Sequence, residues 1–137
     1  MDAPKGPVLV AYNGSERAQR AIERAAGLVG KGGTVTVINV ISAQSVSSRF
    51  ETVSDNERTT QDHLLHDAET LLARRGVKAD LMRAAGDPAA EILSAAATIG
   101  ADVIVVGRRK GLAPHLVHRS LSSTLVRRAA CDVLVVH

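Results

Sequence analysis

The sequence predicts an α/β fold: an open, doubly wound, five-stranded parallel sheet with about four helices shared between its two faces. Three observations carry that reading. Short β-branched runs alternate with helical patterns along the chain, giving the order β-α-β-α-β-α-β-α-β. Three of the runs, Val8-Leu9-Val10, Val103-Ile104-Val105-Val106 and Val133-Leu134-Val135-Val136, are apolar without alternation, as strands covered on both faces must be. The connections are short, and crossovers of this kind are expected to be right-handed.

Each element follows in order. The first strand runs from Pro7 to Tyr12 and leads through Asn13-Gly14 to a helix over Ser15 to Val29, where Ala18, Ile22, Ala25, Ala26 and Val29 recur at spacings of three and four. Thr34 to Ile41 is the second strand. The serine-rich stretch from Ser42 to Ser54 has no period and reads as a surface loop. Asp55 to Arg75 places Leu64, Leu65, Ala68, Leu71 and Leu72 on one helical stripe, with Gly76 where a left-handed cap belongs. A weaker strand covers Lys78 to Ala84. Asp87-Pro88 opens the third helix with an N-cap acid and a proline at its first position, Ile92, Leu93, Ala96 and Ile99 line it, and Gly100 closes it. Asp102 to Val106 is the fourth strand. Ser120 or Ser122 caps a last helix reaching about Ala129, and Asp132 to Val136 is the fifth strand. No internal repeat or boundary divides residues 1–137, so one domain is expected.

Composition narrows the classes of function. With 137 residues, 45% of them hydrophobic and 23% charged, the chain has the profile of a soluble domain. Such a chain buries roughly two-thirds of its unfolded surface and needs no staple. A single cysteine, Cys131, excludes a disulfide framework and a cysteine-based zinc site. Apolar runs stop near the length of Val8 to Tyr12, and no signal-peptide h-region is present, so a cytoplasmic location with no membrane partner is expected. Tyr12 and Phe50 are the only aromatic residues, too few for a stacking platform, and no sequence-specific nucleic-acid partner is expected. The formal charge of +3 is unevenly placed. Arg108, Arg109, Lys110, Arg119, Arg127 and Arg128 fall between Gly107 and Arg128 with no acid among them, which points to an anionic partner at one place.

In an open parallel sheet a ligand sits beyond the carboxyl ends of the strands, where the strand order reverses. Two strand ends are distinctive: Tyr12-Asn13-Gly14-Ser15, and Gly107-Arg108-Arg109-Lys110-Gly111 followed by Arg119-Ser120-Leu121-Ser122-Ser123. Glycines let backbone N–H groups approach a phosphate, and a helix N-terminus, hydroxyls and arginines add donors. The competing reading is that strand-to-helix turns need glycine whatever they bind, and that a surface basic run is solvated.

These residues resemble a known family. The segments V-L-V-A-Y-N-G-S at 8–15, G-D-P-A-A-E-I-L at 86–93, G-A-D-V-I-V-V-G-R-R at 100–109 and C-D-V-L-V-V at 131–136 are similar in order and spacing to the hallmarks of universal stress proteins. The resemblance implies a five-stranded parallel sheet in the order 3-2-1-4-5, with dimerisation through the last strand, Asp132 to Val136. An apolar strand at a sheet edge gains from such pairing. The family includes ATP-binding and non-binding branches. The binding branch resembles a pattern of glycine, two residues, glycine, nine residues, glycine and a hydroxyl residue, with an aspartate after the first strand. Here Gly107 matches, Lys110 stands at the second glycine with Gly111 one place late, Arg119 stands at the third in a stretch one residue shorter, and Ser120 and Ser122 supply hydroxyls. The aspartate position is Asn13, which keeps an acceptor, gains a donor and loses the charge. The resemblance therefore implies an adenine-nucleotide (ATP) or other phosphate-ligand site. Ala11, Asn13 and Val40 or Ile41 would lie on the base and ribose side, and Gly107, Lys110, Gly111, Arg119, Ser120, Leu121 and Ser122 around the phosphates.

Other candidates give less. His63 and His66, and His115 and His118, are spaced three apart, but no carboxylate completes either pair, and no metal is predicted. Cys131 reads as a small apolar residue, with a reactive thiol beside Arg127 and Arg128 as the rival reading. No nucleophile elbow, Walker lysine or pair of catalytic carboxylates is present, so an enzyme is not predicted, slow ATP hydrolysis being the residual enzymatic reading. Two functions stand: a regulatory or protective stress-protein dimer with a weak or altered nucleotide site, and a module without a nucleotide that acts through contacts with an unknown protein partner.

Overall fold

The computed structural model describes residues 3–42, 53–108 and 120–137. Five strands, β1 (Val8–Ala11), β2 (Thr34–Ser42), β3 (Lys78–Gly86), β4 (Val103–Gly107) and β5 (Asp132–Val136), alternate with four helices, α1 (Glu16–Val29), α2 (Asp55–Ala73), α3 (Pro88–Ile99) and α4 (Leu121–Arg128). All neighbouring strands are parallel, and their order is β3-β2-β1-β4-β5. The expected fold class and strand order are therefore those of the molecule.

The unalternating apolar runs split between two cores because successive side chains point to opposite faces. Val8, Val10, Val35, Val37, Val103 and Val105 pack with Ala18, Ile22, Leu65 and Leu72 of α1 and α2. On the other face, Leu9, Ile38, Ile104 and Val106 meet Ile92 and Ala96 of α3 and Leu125 of α4. Both faces are thus covered, and β3 and β5 are the edges. β5 is partly open, with Val133, Leu134 and Val135 only half-buried.

The helix ends follow the sequence signals. Ser15, Ser54, Asp87 and Ser120 are N-caps whose side chains accept the backbone N–H three residues on. At Ser54 the Glu57 carboxylate also accepts the Ser54 N–H, completing a capping box. α2 stops through paired bonds from Gly76 N to Ala73 O and from Val77 N to Leu72 O, and α3 through bonds from Gly100 N to Ala97 O and from Ala101 N to Ala96 O. The boundaries differ at a few places. β3 continues to Gly86 rather than stopping at Ala84, because it pairs with β2 as far as Ser42. β1 ends at Ala11, although Tyr12 N still bonds to Ile38 O at 3.0 Å. Of the two serines considered for the last cap, Ser120 fills the role.

Candidate functional site

The strand order reverses between β1 and β4, and the Tyr12–Ser15 turn and Gly107-Arg108 follow the carboxyl ends of these two neighbouring strands, where the crevice is expected from the sequence. The turn is locally determined. Asn13 Oδ1 accepts the Ser15 N–H at 3.0 Å, and Ser15 Oγ accepts the Ala18 N–H at 3.1 Å, so an Asx turn leads directly into the α1 cap. Gly14 has φ +83°, and a Cβ there would lie 2.7 Å from Leu64 Cδ2 of α2, so only glycine suits this turn. Asn13 is exposed, and its side-chain oxygen is engaged in the turn.

Gly107 has a packing role that the sequence did not reveal. A Cβ on Gly107 would meet the carbonyl carbon of Arg17 at 2.8 Å, its oxygen at 2.9 Å and Ala18 N at 3.0 Å. The first turn of α1 lies against the end of β4, and glycine is required there with or without a ligand. Beyond it, Arg17 Nη1 donates to Arg108 O at 3.0 Å, and Arg108 N donates to Val136 O at 2.7 Å. Arg20 Nη1 donates to His137 O at 3.1 Å, and Arg108 Nη1 lies 3.4 Å from His137 Nδ1.

The third part of the expected site is the start of α4. This helix leads back from the carboxyl edge to a parallel strand, so its N-terminus lies on the crevice side. Ser120 Oγ accepts Ser123 N at 3.2 Å and lies 3.4 Å from Ser122 Oγ and 3.0 Å from Ser123 Oγ, gathering three hydroxyls at one helix end. Leu121 is half-buried against the α3 and α4 core. Lys110, Gly111 and Arg119, with Arg109, His115 and His118, lie outside the described residues, as does the Ser-rich loop apart from Ser42, Val53 and Ser54.

The remaining candidates separate. Ala11 ends β1 and packs on the α3 and α4 side, as Val40 does. Ile41, the next residue along β2, points to the α2 side and lines a groove of about 260 Å³ with Arg58, Gln61, Asp62 and Arg83. The side chains of Val40 and Ile41 are therefore on opposite faces of the sheet and do not share one pocket.

With this geometry in place, the comparison with known proteins is decisive for ancestry. The model of the universal stress protein family matches residues 6–137. The chain belongs to that family. It is 31% identical to universal stress protein YxiE of Bacillus subtilis over 94% of this chain and 97% of the relative. Among solved structures, the universal stress protein from Archaeoglobus fulgidus in complex with dAMP superposes with a TM-score of 0.71 at 24% identity, covering 96% of this chain and 98% of that one. A universal stress protein family member from Arabidopsis thaliana with AMP bound gives a TM-score of 0.70 at 20% identity, covering 96% and 90%.

Other groups of this universal stress protein have plain structural accounts. His63 and His66 are exposed on α2, His66 lies 3.7 Å from Glu69, and among the described residues no cluster of three His, Cys, Asp or Glu is placed to hold a metal. Among the described residues no helix is long and apolar enough to cross a membrane. Cys131 is half-buried against the α3 and α4 core, where burial pushes its thiol pKa up and the charge of Asp132 adds to the rise.

One constellation escaped the sequence analysis altogether. Asn39 and Gln61 are 7% and 5% exposed. Asn39 Nδ2 donates to Tyr12 O at 2.7 Å. Gln61 Nε2 lies 2.8 Å from Asn39 O, 3.1 Å from Asn39 Oδ1 and 3.0 Å from Ala84 O. The available signal was Asn39 itself, an amide interrupting the apolar run Val37-Ile38-Asn39-Val40-Ile41.

Proposed function

We propose that this chain is a regulatory or protective universal stress protein of the cytoplasm that binds an adenine nucleotide weakly or selectively in the crevice between β1 and β4. It works as a homodimer paired through β5. The observation that carries the reading is the reversal of strand order, which sets the Asn13 turn beside Gly107-Arg108 at the carboxyl edge, on the side where α4 presents the Ser120, Ser122 and Ser123 hydroxyls. Relatives of the same fold hold dAMP and AMP. Asn13 Nδ2 and backbone donors suit a ribose or base edge, and Arg108 with the basic residues that follow it in sequence suits phosphate. Catalysis is not part of the proposal. Isothermal titration with ATP, ADP, AMP and cyclic AMP tests it: heat with at least one of them is expected, and silence from all at millimolar ligand overturns it.

The dimer is supported by β5 being an edge strand with half-buried apolar side chains, and by Val126 of the adjacent α4, 57% exposed. Light scattering at micromolar protein is expected to give twice the chain mass, and a monomer mass refutes the pairing. A second reading is favoured by the structural roles of Asn13 Oδ1 and Gly107, neither of which needs a ligand. In it the protein is an interaction module for another protein. Its signature is a melting temperature unmoved by nucleotide, with activity lost when Val135→Pro removes a ladder donor from β5.

A further inference from the structure

We propose that Asn39 and Gln61 are positioning residues for the crevice, forming a buried relay from α2 through β2 that orients the Tyr12–Asn13 peptide and so sets the affinity of the site. The proposal rests on the nucleotide reading above. The relay has one possible arrangement of its amides. Asn39 O and Ala84 O are backbone carbonyls that only accept, so the Gln61 amide must present its nitrogen to both, and with two hydrogens for three acceptors one N–H is shared between Asn39 O and Asn39 Oδ1. Tyr12 O likewise only accepts, so Asn39 must present Nδ2 to it and Oδ1 to Gln61. Both orientations are dictated by the acceptors, and each amide holds the other.

The relay acts where β1 leaves the sheet. Tyr12 N–H still bonds to Ile38 O of β2, and the Tyr12 carbonyl, which a longer strand would satisfy from backbone, is met by Asn39 Nδ2. Both polar groups of Tyr12 are therefore directed to the β2 side. A trans peptide is planar and points its N–H opposite to its C=O, and no cis peptide is present among the described residues. Fixing Tyr12 O toward β2 consequently aims the Asn13 N–H away from β2, toward β4 and the crevice. The following residues are already held by the Asn13 Oδ1 to Ser15 N–H bond, so the relay supplies the constraint at the turn's other end. Because the relay is buried, a broken link leaves a desolvated carbonyl that competes for any nearby donor and rotates this peptide.

Two nearly isosteric variants test the relay: Gln61→Met removes the donors that hold Asn39, and Asn39→Asp removes the donor to Tyr12 O. In titrations with ATP, each is expected to weaken binding about tenfold, equivalent to about 1.4 kcal/mol. Arg83→Ala, on the neighbouring strand and outside the relay, is expected to leave affinity unchanged. Amide hydrogen exchange without nucleotide is expected to accelerate at Asn13, Gly14 and Ser15 in both variants, with β4 amides unaffected. Gln61→Glu adds a readout that loose packing would not move. Its carboxylate cannot donate to carbonyls, while the protonated acid can, and burial among carbonyl oxygens favours the protonated form, so affinity relative to the parent protein is expected to recover as pH falls from about 8 to about 5. Folded variants that keep the parent affinity and parent exchange at Asn13 to Ser15 overturn the proposal. If the parent protein binds no nucleotide, the nucleotide reading falls, and the relay is judged by exchange alone: acceleration confined to the turn upholds it, and unchanged exchange rejects it.

Discussion

The two halves of the carboxyl edge are built from opposite materials. On the β1–β2–β3 side, neutral amides are buried and hydrogen-bonded, with Gln61, Asn39 and the Tyr12 carbonyl joined at 2.7 to 3.1 Å. On the β4–β5 side, a half-buried and an exposed arginine grip backbone oxygens: Arg17 on Arg108 O at 3.0 Å and Arg20 on His137 O at 3.1 Å. A buried amide without its partner carries a desolvation cost, so the first half has one arrangement. An exposed guanidinium without its partner is simply hydrated, so the second half can open to an anion at little cost. The carboxyl edge therefore has one stiff wall and one adaptable, cationic wall.

The largest expected effect comes from breaking the stiff wall. Asn39→Leu strands Tyr12 O and leaves the Gln61 amide without one acceptor, and is expected to cost about 3 kcal/mol, read from the midpoint of urea unfolding. A smaller loss tests the seam between the halves. Gly107→Ala forces a methyl against the Arg17 and Ala18 backbone, as close as 2.8 Å, and is expected to cost about 2 kcal/mol in the same measurement. If Gly107 served only a ligand, this variant would unfold like the parent protein. Ser120→Ala, which removes the α4 cap beside the adaptable wall, is expected to cost about 1 kcal/mol.

What the sequence disclosed follows from how local each signal is. Val8-Leu9-Val10 and Val103-Ile104-Val105-Val106 announce covered strands by themselves, and Asp87-Pro88 and Gly100 bracket α3 without reference to any other segment. The end of β3 is not legible in the sequence because, in this half-buried edge strand with irregularly alternating exposure, Ala85 and Gly86 are strand only by pairing with Ile41 and Ser42. Gly107 carries the same letter whether it serves a phosphate or the first turn of α1, and only the 2.8 Å approach of Arg17 distinguishes them. Val40 and Ile41 are alternatives for one contact, and the two-residue period of a strand sends them to opposite faces, so only one of the two side chains can lie on the side of Ala11. Gln61 is one of many polar residues on α2, and its burial depends on where α2 crosses β2 and β3, which no pattern within the helix records.

A pH series separates the walls further. Burial is the main cause raising the Tyr12 pKa above its ordinary value, the Asp67 charge adds to the rise, and a hydrogen bond with Gln19 offsets part of it. A tyrosine pKa raised in the folded state means that the folded protein holds its proton more tightly than the unfolded chain. Its contribution is fully present below the unfolded value of about 10 and is lost as pH climbs through the folded value. Stability is thus expected to fall on the alkaline side. Tyr12 is the only tyrosine and the chain has no tryptophan, so phenolate absorbance reports this group alone. Titration at the ordinary value in the folded protein would show that this wall is wet.

The smallest effect is expected on the adaptable wall and is the most direct test of the contrast. Arg20→Ala removes the ion pair with Glu16 at 3.0 Å and the bond to His137 O, yet the two side chains are 49% and 80% exposed. Coulomb attraction between such groups is weak in water and the ordering of two long side chains opposes it, so the change is expected to stay within about 0.5 kcal/mol. It should also shrink toward zero in about 1 M salt, where the Debye length is about 3 Å. The Asn39→Leu loss, arising from neutral desolvated groups, should by contrast persist in salt. Measuring both variants at low and high salt reads the two walls on one scale, and a salt-insensitive loss of more than about 1 kcal/mol for Arg20→Ala would show that the arginine wall is as fixed as the amide one.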